Sequence, residues 1–334
     1  MVSILKYAGG FICAAVVIFM TAWGALAIWY SNLSENYVRA GLAGLFVLAT
    51  LLAFVFLRRR RRTLAVFLVV FAGIVAWWLT IPASNHRAWQ ADVALLPYAT
   101  VTGEQVTIHN IRNLNYRTET DFDVRYFDKT FDLGRLQSVD LIAVYWMGDA
   151  IAHVMVSFGF QEQDFVTFSI ETRKELGEEY STLKGFFKQY ELIFVVGDER
   201  DLIRVRTAYR KPPEDVYLYR TRMTPENSRK LFMEYIHQIN SMKEKPEWYN
   251  TLTTNCTTDV VRLIRAYGGQ VRYNWKVLLS GYAPQYAYEL RALDTHLSFD
   301  ELRKKSYINP QAGALGDDPD FSRKIRQGLP RPSG

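Results

Sequence analysis

The sequence predicts a membrane-anchored protein, with three N-terminal transmembrane helices followed by one α+β domain, and three observations carry that expectation. Residues 4–30, 38–57 and 63–81 are almost uncharged and rich in Ala, Val, Leu, Phe and Trp. Each block approaches or exceeds the roughly 20 residues that cross the hydrocarbon core as a helix. Five consecutive arginines, Arg58 to Arg62, fill the short gap between the second and third blocks. Beyond residue 105 the pattern is of several strands and then helices, the order of an α+β domain.

A cleaved signal peptide does not account for the first block, which is too long, lacks a cleavage site and precedes two more of its kind. Arginines in so short a loop stay on the cytoplasmic side. This places the N-terminus inside and "SNLSEN" outside, with everything after about Pro82 beyond the membrane. The expected setting is a multi-pass protein of the bacterial inner (cytoplasmic) membrane with a periplasmic or equivalent extracytoplasmic C-terminal domain. The net charge of +6 resides entirely in residues 1–82, where Lys6, Arg39 and the five arginines face only Glu35. The remainder is formally neutral, so the basic balance reports topology and argues against a nucleic-acid partner.

Residues 83–105 read as a juxtamembrane linker or helix, and 106–330 as the folded domain. "QVTIHNIRNLNYRT" and "FDVRYFDKTFDL" alternate as strands, and "VDLIAVYWM" is a buried one. "IAHVMVSFGFQEQDFVTFSIETR" has the shape of a hairpin, and "YELIFVVGDERDLIRVRTAY" suggests another strand pair. "TPENSRKLFMEYIHQINSMKEK" keeps a helical period with Thr224 as its N-cap. A further helix begins at Cys256 and ends at Gly268-Gly269.

The chemistry centres on "TLTTNCTTDV". Cys13 belongs to the first membrane block, so Cys256 is a lone thiol in an oxidising space, where unpaired cysteines are either buried or used. Thr253, Thr254 or Asn255 can cap the helix and place Cys256 in its first turn. There the helix dipole lowers a thiol pKa and backbone N–H groups can stabilise an oxyanion. A cysteine packed beneath the helix is the plainer alternative. Of five histidines none is spaced for metal, and His86, His109, His237 and His296 stand in unremarkable contexts. His153 interrupts an apolar strand. If Val154, Val156, Val166, Phe168 and Ile170 share one face, paired positions sum to about 324, and His153 then faces Glu171 across the hairpin. Glu171 can thus orient the imidazole, although a surface pair with Arg173 or Lys174 fits the spacing equally. No nucleotide or dinucleotide fingerprint occurs, so no cofactor is expected.

The segments "IAHVMVSFGF", "FSIETRKELGEEYSTLKGFF", "YELIFVVGDERDLIRVRT", "TLTTNCTTDV" and "FSRKIRQGLP" closely resemble the Lnb N-terminal periplasmic domain family, from roughly His109 to Pro330. Lnb is a bacterial lipoprotein N-acyl transferase. The resemblance implies a permuted papain-like fold, an antiparallel sheet with packed helices, similar to NlpC-type hydrolases and LRAT-type acyltransferases. It also implies Cys256 as nucleophile and His153 as base. Glu171 as third member comes from the hairpin register, and Asn255 and Thr254 shape the oxyanion site. "ETR" and "DERD" (Asp198, Glu199, Arg200, Asp201) read as a salt-bridge network rather than as catalytic. Three membrane helices ahead of the domain need not match the layout of Lnb proteins, which leaves the substrate open. The expected activity is acyl transfer from a membrane lipid or lipoprotein ester through a Cys256 thioester to an amine. A papain-like amidase acting on envelope peptide and a non-catalytic envelope scaffold are the alternatives. An apolar surface beside Cys256 favours acyl chains, and a polar cleft favours peptide.

Overall fold

The computed structural model describes residues 2–332. The chain folds as two units, one comprising the chain up to Ala83 with Ser181–Gln189, the other Ser84–Tyr180 with the chain from Tyr190 onward.

The first unit holds α1 (Val2–Trp29), α2 (Asn36–Phe56) and α3 (Arg60–Leu79). Gly10–Trp29, Asn36–Phe56 and Arg60–Leu79 are long and apolar enough to cross a membrane, where the sequence places them. Val17, Ile28, Phe46 and Phe67 form their small shared core. Gly24 permits the close approach of α2, since a Cβ there would meet the Phe46 ring at 2.8 Å. Outward side chains such as Phe19, Leu45, Val55 and Val69 remain exposed, as lipid-facing residues do. The segment Ser181–Gln189 folds with this bundle. Phe187 packs on Trp23 and Tyr30, with ring centroids 6.0 and 5.6 Å away. Lys188 Nζ donates to the carbonyls of Trp78, Leu79 and Ile81 at 3.0–3.1 Å, satisfying groups that a helix C-terminus leaves open.

The second unit is built on β1 (Tyr98–Thr102), β2 (Gln105–Arg112), β5 (Tyr126–Asp132), β6 (Leu136–Tyr145), β7 (Ala152–Phe160), β8 (Asp164–Arg173), β9 (Glu191–Gly197) and β10 (Asp215–Arg220), with β3 (Asn115–Tyr116) and β4 (Phe122–Asp123) as a separate ribbon. The main sheet runs β1-β2-β9-β8-β7-β6-β10, with β5 beside β2. It is mixed rather than purely antiparallel, because β2 meets β9 in parallel at Arg112 and Gly197. The helices are α4 (Glu199–Leu202), α5 (Pro225–Glu244), α6 (Thr258–Ala266), α7 (Trp275–Leu278), α8 (Ala283–Glu289), α9 (Phe299–Lys305), α10 (Asn309–Leu315) and α11 (Phe321–Lys324).

Strand alternation sorts the two faces. Val154, Val156, Phe158, Val166, Phe168, Leu192 and Phe194 point to one face. There they pack against Leu231, Phe232, Tyr235 and Ile236 of α5 and Val260 and Leu263 of α6. Ile142, Val144, Met155, Ile193 and Val195 point to the other and meet Leu202, Ile203, Ile308, Phe321 and Ile325. The hairpin register is the expected one, Met155 opposite Ser169 and Val156 opposite Phe168. Thr224 caps α5 by accepting from Asn227 N.

Two expectations are corrected. β1 lies inside the segment read as a linker. The stretch after β9 is not a second strand: Asp198 accepts from Arg200 N and starts α4, and Val205–Tyr209 continues as a π-helical turn. The winding lets Leu202 and Ile203 reach the sheet while Glu199 and Asp201 bury their carboxylates against arginines.

Candidate functional site

The sheet splits at one end, and both candidate residues stand at the split. β7 pairs with β6 down to Ala152, and β8 pairs with β9 up to Arg173. The β7–β8 ladder stops at Met155 and Ser169. Below that rung the β7 backbone faces groups other than a strand. Ser280 Oγ accepts from Ala152 N at 3.0 Å. The Cys256 thiol lies 4.0 Å from Ala152 O, and Val154 N–H donates to its sulfur. Gly281 passes so close that a Cβ would meet Asp149 O at 2.0 Å, and its N–H donates to Ala150 O at 3.0 Å.

His153 follows Ala152 on the strand, so its imidazole leaves on the opposite sheet face. Its Nε2 lies 2.7 Å from Ser169 Oγ. Ser169 Oγ donates to Glu171 Oε1 at 2.6 Å, and Arg206 Nη2 reaches the same oxygen at 3.2 Å. Burial alone would raise the Glu171 carboxyl, but the Arg206 and Arg112 guanidiniums hold it well below the usual carboxylate range. It is therefore an acceptor only, which obliges Ser169 to spend its single proton on it and to accept from His153. The relay thus fixes the Nε2–H tautomer and leaves Nδ1 as the basic nitrogen, unpartnered among the described residues. Burial, then Arg206, push the imidazole down to about 3, so His153 is neutral.

Glu171 is where the register expects it, on the same face as His153, but the contact is indirect. His153 Nε2 and Glu171 Oε1 are 3.7 Å apart with Ser169 bridging. Arg173 is engaged elsewhere, donating to Val93 O and Ala94 O. Ser169 was missed, yet it is legible as the diagonal cross-strand neighbour of His153.

The setting of Cys256 differs from expectation. α6 begins at Thr258, so Cys256 precedes the helix instead of sitting in its first turn. Asn255 Oδ1 accepts from both Thr257 N and Thr258 N at 3.0 Å, and Nδ2 donates to Thr251 O at 2.8 Å. Asn255 therefore closes the turn that leads into α6 and consumes N–H groups assigned to an oxyanion. Thr254 closes the preceding turn, exchanging backbone hydrogen bonds with Asn250. The donors that do flank the sulfur are Val154 N–H, the Thr257 hydroxyl and the Cys256 amide itself. Burial pushes the thiol pKa up, and these donors only oppose it, so the group is a thiol, not a preformed thiolate. Beside it lie Tyr235, Tyr249 and Asp259, all electrostatically coupled to the sulfur. Burial raises the Asp259 carboxyl to about 7. Tyr235 Oη and Asp259 Oδ2 have no hydrogen-bond partner among the described residues.

The structure thus brings His153 together with Ser169 and Glu171, and Cys256 together with Asn255, Thr257 and the β7 backbone. It does not join the two groups: no hydrogen bond between Cys256 and His153 occurs among the described residues, because alternation sends the imidazole to the face opposite α6. The "DERD" residues do form the anticipated ionic network. Asp201 accepts from Arg112 and Tyr116, and Glu199 receives both Nη1 and Nη2 of Arg326 at 2.7 Å. His109 pairs with Asp128 at 2.7 Å, away from these groups. Among the described residues no group of three or more His, Cys, Asp or Glu is placed to hold a metal ion.

The family model of the Lnb N-terminal periplasmic domain matches residues 122–286, a span that contains His153, Ser169, Glu171, Cys256 and Gly281. This part of the chain is similar to the Lnb N-terminal periplasmic domain. With the three apolar helices ahead of it, this is a membrane protein with a periplasmic C-terminal domain. No curated protein and no solved structure matches the chain. The match ends just after the Ser280-Gly281 turn that lies against the β7 entry.

Proposed function

We propose that the protein is a thiol-dependent acyl transfer enzyme anchored in the bacterial inner membrane, with its N-terminus cytoplasmic. The observation that carries this reading is the split sheet, where a thiol meets free strand backbone beside a histidine whose tautomer is fixed by a Ser–Glu relay. The order of parts, a histidine strand followed by a cysteine ahead of a helix on the same sheet, is that of a permuted papain-like enzyme. In the first step Cys256 Sγ bonds to the carbonyl carbon of a lipid or lipoprotein ester. Its proton passes to His153 Nδ1, the ester C–O bond breaks, and the leaving alkoxide takes the proton back from the imidazole. In the second an amine, such as a lipoprotein N-terminus, attacks the thioester, the C–S bond breaks, and the thiol recovers a proton. Val154 N–H and Cys256 N–H are the oxyanion donors. A neutral thiol and a neutral imidazole suit general-base attack rather than a standing ion pair. The step requires the imidazole to come within hydrogen-bond reach of Sγ from the far side of β7.

Acyl chains are favoured over peptide by what surrounds the split. Trp146 and Met147 in the loop before β7, and Trp275, Leu278 and Leu279 ahead of Ser280, are all exposed apolar side chains. Their two segments meet where Gly281 contacts Ala150. A membrane tether also raises the effective concentration of bilayer-borne substrate.

A second reading, a non-catalytic envelope scaffold, is favoured by the opposite-face placement of His153 and Cys256. Acyl transfer by purified full-length protein separates the two. Reconstituted with a diacylated lipopeptide and phospholipid, wild type should yield the N-acylated product by mass spectrometry. Cys256→Ala should yield none, and His153→Gln should lose ~10²-fold or more. No transfer by folded wild-type protein would leave the scaffold standing, and undiminished transfer by a folded Cys256→Ala protein would overturn the thiol's role.

A further inference from the structure

The membrane unit contains a cleft unrelated to the thiol. Phe46, Ala49, Thr50, Ala53, Phe54 and Leu57 line it from the α2 side, and Arg59, Arg62, Thr63, Val66, Phe67 and Val70 from the α3 side, with Arg58 at the turn. Each set follows the i, i+3, i+4, i+7 spacing of a single helix face. The cleft encloses about 430 Å³, within the ~300–1,000 Å³ typical of small-molecule sites. Its wall is apolar even at the threonines. Thr50 Oγ1 turns back to Phe46 O at 2.8 Å and Thr63 Oγ1 to Arg59 O at 3.4 Å, so both hydroxyls are engaged by the helix backbone. The inner end is closed by Phe67, stacked on Phe46 at 6.3 Å and edge-on to Phe54 at 5.9 Å.

Dimensions and charge together specify an occupant. From Leu57 back to Phe46 the wall spans about 16 Å at 1.5 Å per residue, close to half of the roughly 30 Å hydrocarbon core. That is the depth of one leaflet. At its mouth Arg58, Arg59 and Arg62 stand at headgroup level, with no acidic residue between Glu35 and Arg87 to neutralise them. Basic clusters beside transmembrane helices attract anionic headgroups by about 1 kcal/mol per side chain, which three residues convert to roughly two decades. An arginine cluster satisfied by topology alone would have no need of an apolar slot of leaflet depth beneath it.

We propose that this cleft is a binding site for one anionic phospholipid of the arginine-side leaflet, with an acyl chain between α2 and α3 and the phosphate on Arg58, Arg59 and Arg62. Native mass spectrometry of the full-length protein, released from nanodiscs containing equal phosphatidylglycerol and phosphatidylcholine of the same chains, tests it. Wild type should retain one phosphatidylglycerol with at least ~10-fold preference. The triple variant Arg58→Gln/Arg59→Gln/Arg62→Gln, which keeps Arg60 and Arg61 for topology, should fall to near parity. Ala49→Trp keeps every charge but fills the cleft, and should lower phosphatidylglycerol retention at least ~5-fold. Equal retention of both lipids by wild type would overturn the site. So would unchanged retention by Ala49→Trp, which would reduce the effect to surface attraction, or a lipid-free dimer seated on this face.

Discussion

At the scale of single residues, the chemistry turns on which protons are fixed. Ser169 receives His153 Nε2 and donates to Glu171, whose charge Arg206 and Arg112 maintain. Ser169→Ala should therefore release the tautomer while leaving the apolar packing of the sheet intact. We expect transfer activity to fall ~10–10²-fold, with Ser169→Thr restoring much of it, as read from initial rates of both variants. His153 also leaves a signature in stability. Its folded-state pKa is depressed to about 3 from an ordinary 6.5, so between those values the unfolded chain binds the extra proton. Stability contributed by the neutral form is present above pH 6.5 and is lost as the pH falls toward 3. Glu171, also depressed, adds loss of the same sign at the lower end, while Asp259, raised by burial to about 7, acts oppositely. Urea unfolding at several pH values should show His153→Gln with a slope flatter by up to ~1.4 kcal/mol per pH unit in that window. An unchanged slope would mean that the imidazole is not held neutral.

Among the elements, the register of β7 with β8 was legible and its extent was not. Alternating apolar residues fix the sum of paired positions, and they place His153 and Glu171 on one face. They do not say where the ladder ends, and the split below Met155 and Ser169 is what admits Cys256 and Ser280 to the β7 backbone. Nor does local pattern say which face a helix from a hundred residues downstream will cover. Val154 was assigned to the core face, so His153 had to occupy the other. That α6 and its preceding thiol would join the Val154 face is a tertiary fact. The stretch after β9 failed for a related reason: "DLIRVRT" satisfies both strand and helix periods, and burial of Glu199 and Asp201 against distant arginines decided it. The turn that leads into α6 is testable on its own. Asn255→Ala removes three hydrogen bonds at 2.8–3.0 Å and should cost ~1–2 kcal/mol in thermal or urea unfolding.

For the molecule as a whole, the membrane helices were plain from hydropathy and charge because the bilayer imposes a length on the sequence. The placement of the C-terminal segment was not, since beside Phe321 and Ile325 in the core it is held by an arginine whose partners lie far away in the sequence. Arg326 binds Asp140 of β6 at 2.7 Å and Glu199 of α4 at 2.7 Å, and its guanidinium lies 3.7 Å from the Phe165 ring centroid. All three charged groups are buried. Arg326→Met would leave the buried Glu199 carboxylate without its guanidinium, while Asp140 keeps Arg220 at 2.7 Å, and should destabilise the outer domain by ~3–5 kcal/mol. Arg323→Met, which breaks only an exposed pair with Asp320, should change stability by less than ~0.5 kcal/mol. Similar losses from both would contradict a buried ionic anchor.

The central claim is that Cys256 carries the acyl chain. Intact and peptide mass spectrometry of the full-length protein after brief incubation with phospholipid and lipopeptide reads it directly. The expected result is an acyl-sized mass increase confined to the peptide containing Cys256, released by neutral hydroxylamine and missing from Cys256→Ala. Steady product formation with no hydroxylamine-labile mass on that peptide, even when the amine acceptor is withheld, would contradict the thioester route.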